Sequence, residues 1–167
     1  MLESLKMDWK RNEKKFPIMI VLFLYRIGNY IHYSCINKFI KSLIIIPLKI
    51  LYNLIMLIFQ CEIPFAAKID GGARIRHLNG IIINDNTIMG KNCTLFHQVT
   101  IGSNEHKKIN GGAIIGDNVY IGCGAKVIGN ITIGNDTIIG ANAVVTKNVE
   151  KNSTVIESNK IMQNGNL

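Results

Sequence analysis

From Ile63 onward an aliphatic residue returns every six positions, and that period decides what the chain can fold into. An α-helical stripe repeats every 3.6 residues and an ordinary sheet every two, so neither sustains a period of six. The repeat runs through Ile63, Ile69 and Ile75, takes in two extra residues, and continues through Ile83, Met89, Leu95 and Ile101. A polar excursion interrupts it, and it resumes at Ile115, Ile121, Val127, Ile133, Ile139 and Val145. Small or β-branched residues hold the fifth place of each hexad, as at Ala67, Cys93, Val119, Ala125 and Ala143. The pattern predicts a triangular prism in which each hexad is a short strand plus a turn, and three hexads close one coil of about eighteen residues. The aliphatic residue points inward, the small one fills the corner, and Gly or Asn at the turn accepts positive φ. The expected fold class is mainly β, a parallel β-helix of hexapeptide repeats over residues 62–150, with a hydrophobic α-helical segment before it and a tail at 151–167.

Residues 1–61 follow a different grammar. They carry nine Lys/Arg against three acids, whereas residues 62–167 carry ten against eight, so most of the net charge of +8 belongs to the first third. The whole chain is 48% hydrophobic with a mean hydropathy of +0.22, which excludes disorder. Apolar runs lie at Phe16–Tyr25, Leu43–Ile46 and Ile50–Cys61, none with the ~18 consecutive apolar residues of a membrane span. Two to four helices are expected, broken near Gly28–Asn29 and near Pro47. Two uses of them stay open. One is an oligomerisation cap whose apolar sides pack together. The other is an anchor on an anionic membrane surface, with Lys and Arg meeting headgroups at about 1 kcal/mol each. Nucleic acid is not an expected partner, because the cations alternate with aliphatic runs. Cys35, Cys61, Cys93 and Cys123 include no CxxC pair, and no signal-peptide cleavage pattern precedes them. Reduced thiols in a cytoplasmic chain, peripheral on the inner face of the membrane, are the expectation.

The two breaks in the repeat direct attention to a working face, since insertions in repeat proteins map to functional loops. The first falls in the hexad holding His77. The second extrudes residues 103–114, a polar loop with His106, Gly111 and Gly112. Positions three hexads apart share an edge, so His77, His97, Cys123 and Ala141 are expected in one column with neighbours about a strand spacing apart. Two imidazoles at the foot of a strip of small residues suit a long thioester cofactor beside a base.

The segment IGDNVYIGCGAKVIGNITIGNDTIIGANAVVTK (residues 115–147), with RHLNGIIIN and NCTLFHQVTIG, resembles the hexapeptide-repeat acyltransferases, most closely the serine O-acetyltransferase branch. The hydrophobic N-terminal segment is similar to that of enzymes of capsule or exopolysaccharide assembly. The resemblance implies a left-handed coil, a homotrimer (or a higher oligomer through the helices), sites between subunits, and acetyl-CoA as donor without a metal. It implies that His77 is the general base on an acceptor hydroxyl and that Glu62 orients it. His97 stands where that branch commonly carries glutamine and would bind or deprotonate the acceptor. Cys123 and Ala141 match positions whose backbone meets the pantetheine arm, Gly111 and Gly112 would let the loop approach CoA, and Thr146 and Lys147 match contacts near its far end. Arg76 replaces the acid usual before the histidine. That departure, together with Gly112 where the branch carries a histidine near the end of the extruded loop, turns the expected acceptor from free serine to a sugar hydroxyl of a surface polysaccharide or its precursor, with serine O-acetyltransfer in cysteine biosynthesis as the alternative. From another class comes a zinc protein resembling the γ-type carbonic anhydrases, with His77, His97 and His106 as ligands.

Overall fold

The computed structural model describes residues 1–13, 15–103 and 111–156. Three helices come first: α1 (Leu2–Arg11), α2 (Phe16–Tyr33) and α3 (Lys38–Phe59). Thirteen strands of two or three residues follow among the described residues, from Lys68–Ile69 to Thr154–Val155. Every strand pairing is parallel, and the strands form three sheets. One face stacks Ile69, Met89, Ile115 and Ile133. The second stacks Ile75, Leu95, Ile121, Ile139 and Val155. The third stacks Ile83, Ile101, Val127 and Val145.

The predicted prism is therefore present, with its period intact. Uninterrupted coils take eighteen residues, as between Ile121 and Ile139 or Val127 and Val145. The stacked aliphatic residues are buried, apart from the half-buried Val155, and they make a core one side chain deep. Fifth-place residues such as Ala67, Cys93, Val119 and Ala125 are wholly buried in the corners, where nothing larger fits. One corner turns through Gly72, Asn92, Asn118, Asp136 and Asn152, all at positive φ, the conformation that Gly and Asn adopt at least cost.

The lower end of a β-helix exposes unpaired backbone groups, and here side chains from α1 and α2 take the place of the missing coil. Asn12 accepts from Ile75 N at 2.9 Å and donates to Ala73 O at 2.8 Å, as a neighbouring strand would. Tyr25 donates its hydroxyl to Ala67 O and accepts from Ile69 N. Arg26 donates to the carbonyls of Ile69 and Asp70, and Asp8 accepts from the amides of Gly72 and Ala73.

Three expectations need correction. Helix α2 runs unbroken through Gly28 and Asn29. Gly28 is there because the Phe65 ring occupies the place of a Cβ, and Asn29 donates to Phe65 O and Ala67 O. Helix α3 likewise runs through Pro47 without interruption. The chain reverses instead at residues 34–37, where Asn37 caps α3 by accepting from Phe39 N. Finally, the prism does not stop at residue 150: Thr154–Val155 adds a rung on Ile138–Ile139.

Candidate active site

Strand register brings four of the expected residues to one edge. Ile75, Leu95, Ile121 and Ile139 are in register on one face, and His77, His97, Cys123 and Ala141 each follow two residues later at the corner. The His77 and His97 rings meet edge to face, with centroids 5.6 Å apart and planes at 79°. The two-residue insertion shifts the details. Gln98 N donates to Asn79 O, so Asn79, not His77, lies directly beneath His97 in the backbone ladder. His77 is carried outward on the resulting bulge and is exposed, while His97 is half-buried. Above them Gly124 N donates to His97 O and Asn142 N to Cys123 O, which continues the column.

Around the imidazoles the structure places residues that the repeat pattern did not single out. Phe96 lies 6.5 Å from His77 and 5.2 Å from Tyr120, and the Arg76 guanidinium sits 6.0 Å over the Phe96 ring. Arg76 also lies 3.6 Å from Glu13, the same carboxylate that accepts from Arg74. These outward residues fall in the variable places of the hexad, where periodicity carries no signal. Gln98 follows His97 at φ 56°, a left-handed conformation that is unusual for so long a side chain. His97 Nδ1 is buried with no hydrogen-bond partner among the described residues. Such a group costs about 1–3 kcal/mol unless something satisfies it.

The remaining expected residues fall around the third face, that of Ile83, Ile101, Val127 and Val145, which shares the histidine corner. Glu62 is exposed at its foot, bridged to Ile82, and lines a cleft with His32, Lys49 and Asp85. Among the described residues neither a hydrogen bond nor an ion pair joins Glu62 to His77, so within one chain it does not orient that ring. Thr146 and Lys147 follow the strand Val144–Val145 and are exposed on the opposite edge of the face from Ala141. Gly111 and Gly112 belong to that second edge. Gly111 packs on the Asn130 side chain, and Gly112 lies so close to the Asn86–Thr87 backbone that no Cβ fits. Packing between coils is thus the role visible for Gly112. His106 and most of the extruded loop lie outside the described residues. Cys61 and Cys93 are buried, and burial pushes both thiols up, Cys93 to about 11, so neither is a nucleophile at neutral pH. No group of three metal-ligating side chains occurs among the described residues.

A parallel β-helix of hexads with imidazoles at the foot of a strip of small residues defines a hexapeptide-repeat acyltransferase. The family model "Bacterial transferase hexapeptide (six repeats)" matches residues 112–147. The serine acetyltransferase of Helicobacter pylori is 34% identical over 143 residues, covering 86% of this chain and 79% of that protein. That of Staphylococcus aureus is 41% identical over 95 residues, covering 57% of this chain and 45% of that protein. Among solved structures, serine acetyltransferase isoform 3 from Entamoeba histolytica in complex with cysteine superposes with a TM-score of 0.79 at 26% identity over 99% of this chain. The Neisseria gonorrhoeae enzyme in complex with serine gives 0.75 at 26% identity over 95%. The chain spans 61% and 65% of those two structures. The chain belongs to the serine acetyltransferase family of acetyl-CoA-dependent O-acetyltransferases, and its coil is the left-handed β-helix of that family. Enzymes of this build are generally trimeric and need no metal.

Proposed function

We propose that this chain moves the acetyl group of acetyl-CoA to the hydroxyl of L-serine, with His77 as general base. The observation that carries the reading is the edge-to-face contact of His77 and His97 at the foot of the Cys123–Ala141 strip. A neutral imidazole open to solvent can take the hydroxyl proton as the oxygen attacks the thioester carbonyl. The tetrahedral intermediate then collapses with departure of the CoA thiolate, which the histidinium protonates. His97 holds the acceptor beside His77. The pantetheine arm runs along Cys123 and Ala141, with small side chains that leave backbone groups within reach, as in strand addition. Lys147 supplies charge to a CoA phosphate.

Half of this site is missing from one chain. Lys147 lies on the opposite edge of the third face from the histidines, Glu62 makes no contact with His77 among the described residues, and His77 is open to solvent. We assign the complete site to the groove between two subunits of a homotrimer, where one subunit's histidine edge meets its neighbour's opposite edge. Serine is preferred as acceptor because the relatives covering most of the chain bear that activity in their names. A sugar hydroxyl is the second reading, supported by Arg76, whose cation sits beside the base and does not favour a serine ammonium.

The test is CoA release with L-serine against release with an acetyl-accepting oligosaccharide, each with purified protein and acetyl-CoA. A serine-dependent rate at least about 100-fold above the oligosaccharide rate is expected, the scale on which one mismatched polar contact is felt. The reverse ratio would replace serine by a sugar and leave the role of His77 standing.

A further inference from the structure

Helix α3 uses one stripe of its surface and leaves the rest bare. Lys41, Ile45, Leu48, Tyr52, Ile55 and Phe59 are spaced alternately four and three apart, and this stripe is the half-buried or buried one. The other faces of a surface helix are normally polar. Here they carry Phe39, Leu43, Ile50, Leu54 and Leu57, exposed by 79%, 68%, 59%, 58% and 74%. The most apolar 18-residue window of this helix has a mean hydropathy of 2.2, and 11% of that window is buried. Water does not tolerate so large an unpartnered apolar face on a stable protein.

Charge identifies the occupant. Between Lys15 and Cys61 there is no Asp or Glu. Arg26 is neutralised by Asp8 and Lys41 donates to His32 O at 2.7 Å, while Lys38 and Lys49 meet no carboxylate among the described residues. A second copy set on this face across a two-fold axis would bring those lysines against their own kind. Lipid phosphates would neutralise them, and acyl chains would cover the leucines between them.

The fold also decides between lying on a bilayer and crossing one. At 1.5 Å per residue α3 is about 33 Å long, enough to span. Its C-terminal half is nevertheless tied to the first coil: the Tyr52 hydroxyl donates to Ile63 O at 2.9 Å, and Met56 is buried. A crossing helix would drag that coil, with Glu62 and Lys68 on its outside, into hydrocarbon. We infer that α3 lies in the plane of an anionic bilayer, its leucine and isoleucine face sunk to the acyl boundary and its lysines at the phosphates.

Flotation of the full chain with phosphatidylglycerol–phosphatidylcholine vesicles, and with phosphatidylcholine vesicles alone, tests this. Binding should be at least about tenfold stronger to the anionic vesicles at low salt and should weaken as salt screens the lysines. Alkaline carbonate should release the protein. Leu54→Glu with Leu57→Glu, on the exposed side, should abolish binding and leave acetyl transfer unchanged. Lys38→Gln with Lys49→Gln should weaken it on anionic vesicles alone. Equal binding to both vesicle types overturns the anionic element, and resistance to carbonate overturns the in-plane orientation. Absence of vesicle binding, with a larger assembly in sedimentation velocity that the leucine variant dissolves, assigns the face to a second copy instead.

Discussion

Asp8 and Arg26 face each other 2.9 Å apart with both side chains buried, and this pair joins α1 and α2 beneath the first coil. Each is also bonded to the coil, Asp8 through the amides of Gly72 and Ala73 and Arg26 through the carbonyls of Ile69 and Asp70. Removing one partner strands the other charge in a dry interface. Asp8→Ala should therefore cost about 3–5 kcal/mol, read from urea unfolding. Asp8→Ala combined with Arg26→Met should recover part of that loss. A double variant that loses the full sum of the two singles would show that the pair is not coupled.

His77→Ala should lower kcat by about 10²- to 10⁴-fold while leaving CoA affinity nearly unchanged, as expected for a base that acts in the transition state. His97→Gln should act mainly on KM for the acceptor. Steady-state kinetics with isothermal titration of CoA separates the two effects, and an unimpaired His77→Ala enzyme would remove the proposed base.

Four thiols report on the cofactor strip. Alkylation with iodoacetamide at neutral pH should reach Cys35 and Cys123, which are exposed and half-buried, and spare the buried Cys61 and Cys93. Acetyl-CoA at a hundred times its Kd should slow Cys123 by about 100-fold and leave Cys35 untouched. Equal protection of both, or of neither, would place the pantetheine arm elsewhere.

Stability should fall in alkali in a definite window. Burial raises the Cys93 thiol from 9.0 to about 11, so folding favours the neutral form. That contribution is complete below pH 9 and is lost as pH rises to about 11, amounting to about 3 kcal/mol. Tyr25 and Tyr52, both raised by burial, extend the decline to higher pH. Unfolding midpoints across this range should drop less steeply in Cys93→Ala, and parallel slopes would contradict the assignment.

Gly28→Ala should destabilise by about 1–3 kcal/mol, because a methyl there meets the Phe65 ring. Adding Phe65→Leu should relieve part of the cost. A helix-stabilising effect of Gly28→Ala, as seen where space is free, would mean α2 does not pack this closely.

How much was legible depended on whether a position repeats. Ile75, Leu95, Ile121 and Ile139 recur in phase, so their stacking, and with it the edge shared by His97, Cys123 and Ala141, could be counted along the chain. Asn79 could not, since counting does not say how two extra residues are accommodated. Gly28 and Pro47 read as helix ends by composition, yet one makes room for Phe65 and the other sits inside a helix whose neighbouring turns hold it. Phe96 and Arg76, on the outward side, have no period to betray them.

Sequence alone determined the prism, because a six-residue period of buried aliphatic and small residues admits one economical way of closing a core. It also determined the all-positive composition of the helical segment after Lys15. Tertiary structure decided the rest. It turned Asn12, Tyr25 and Arg26 into a surrogate coil, carried His77 out to meet His97, and left α3 bare. Each of these depends on which surfaces meet in space, and contacts between residues tens of positions apart are not written in any local pattern.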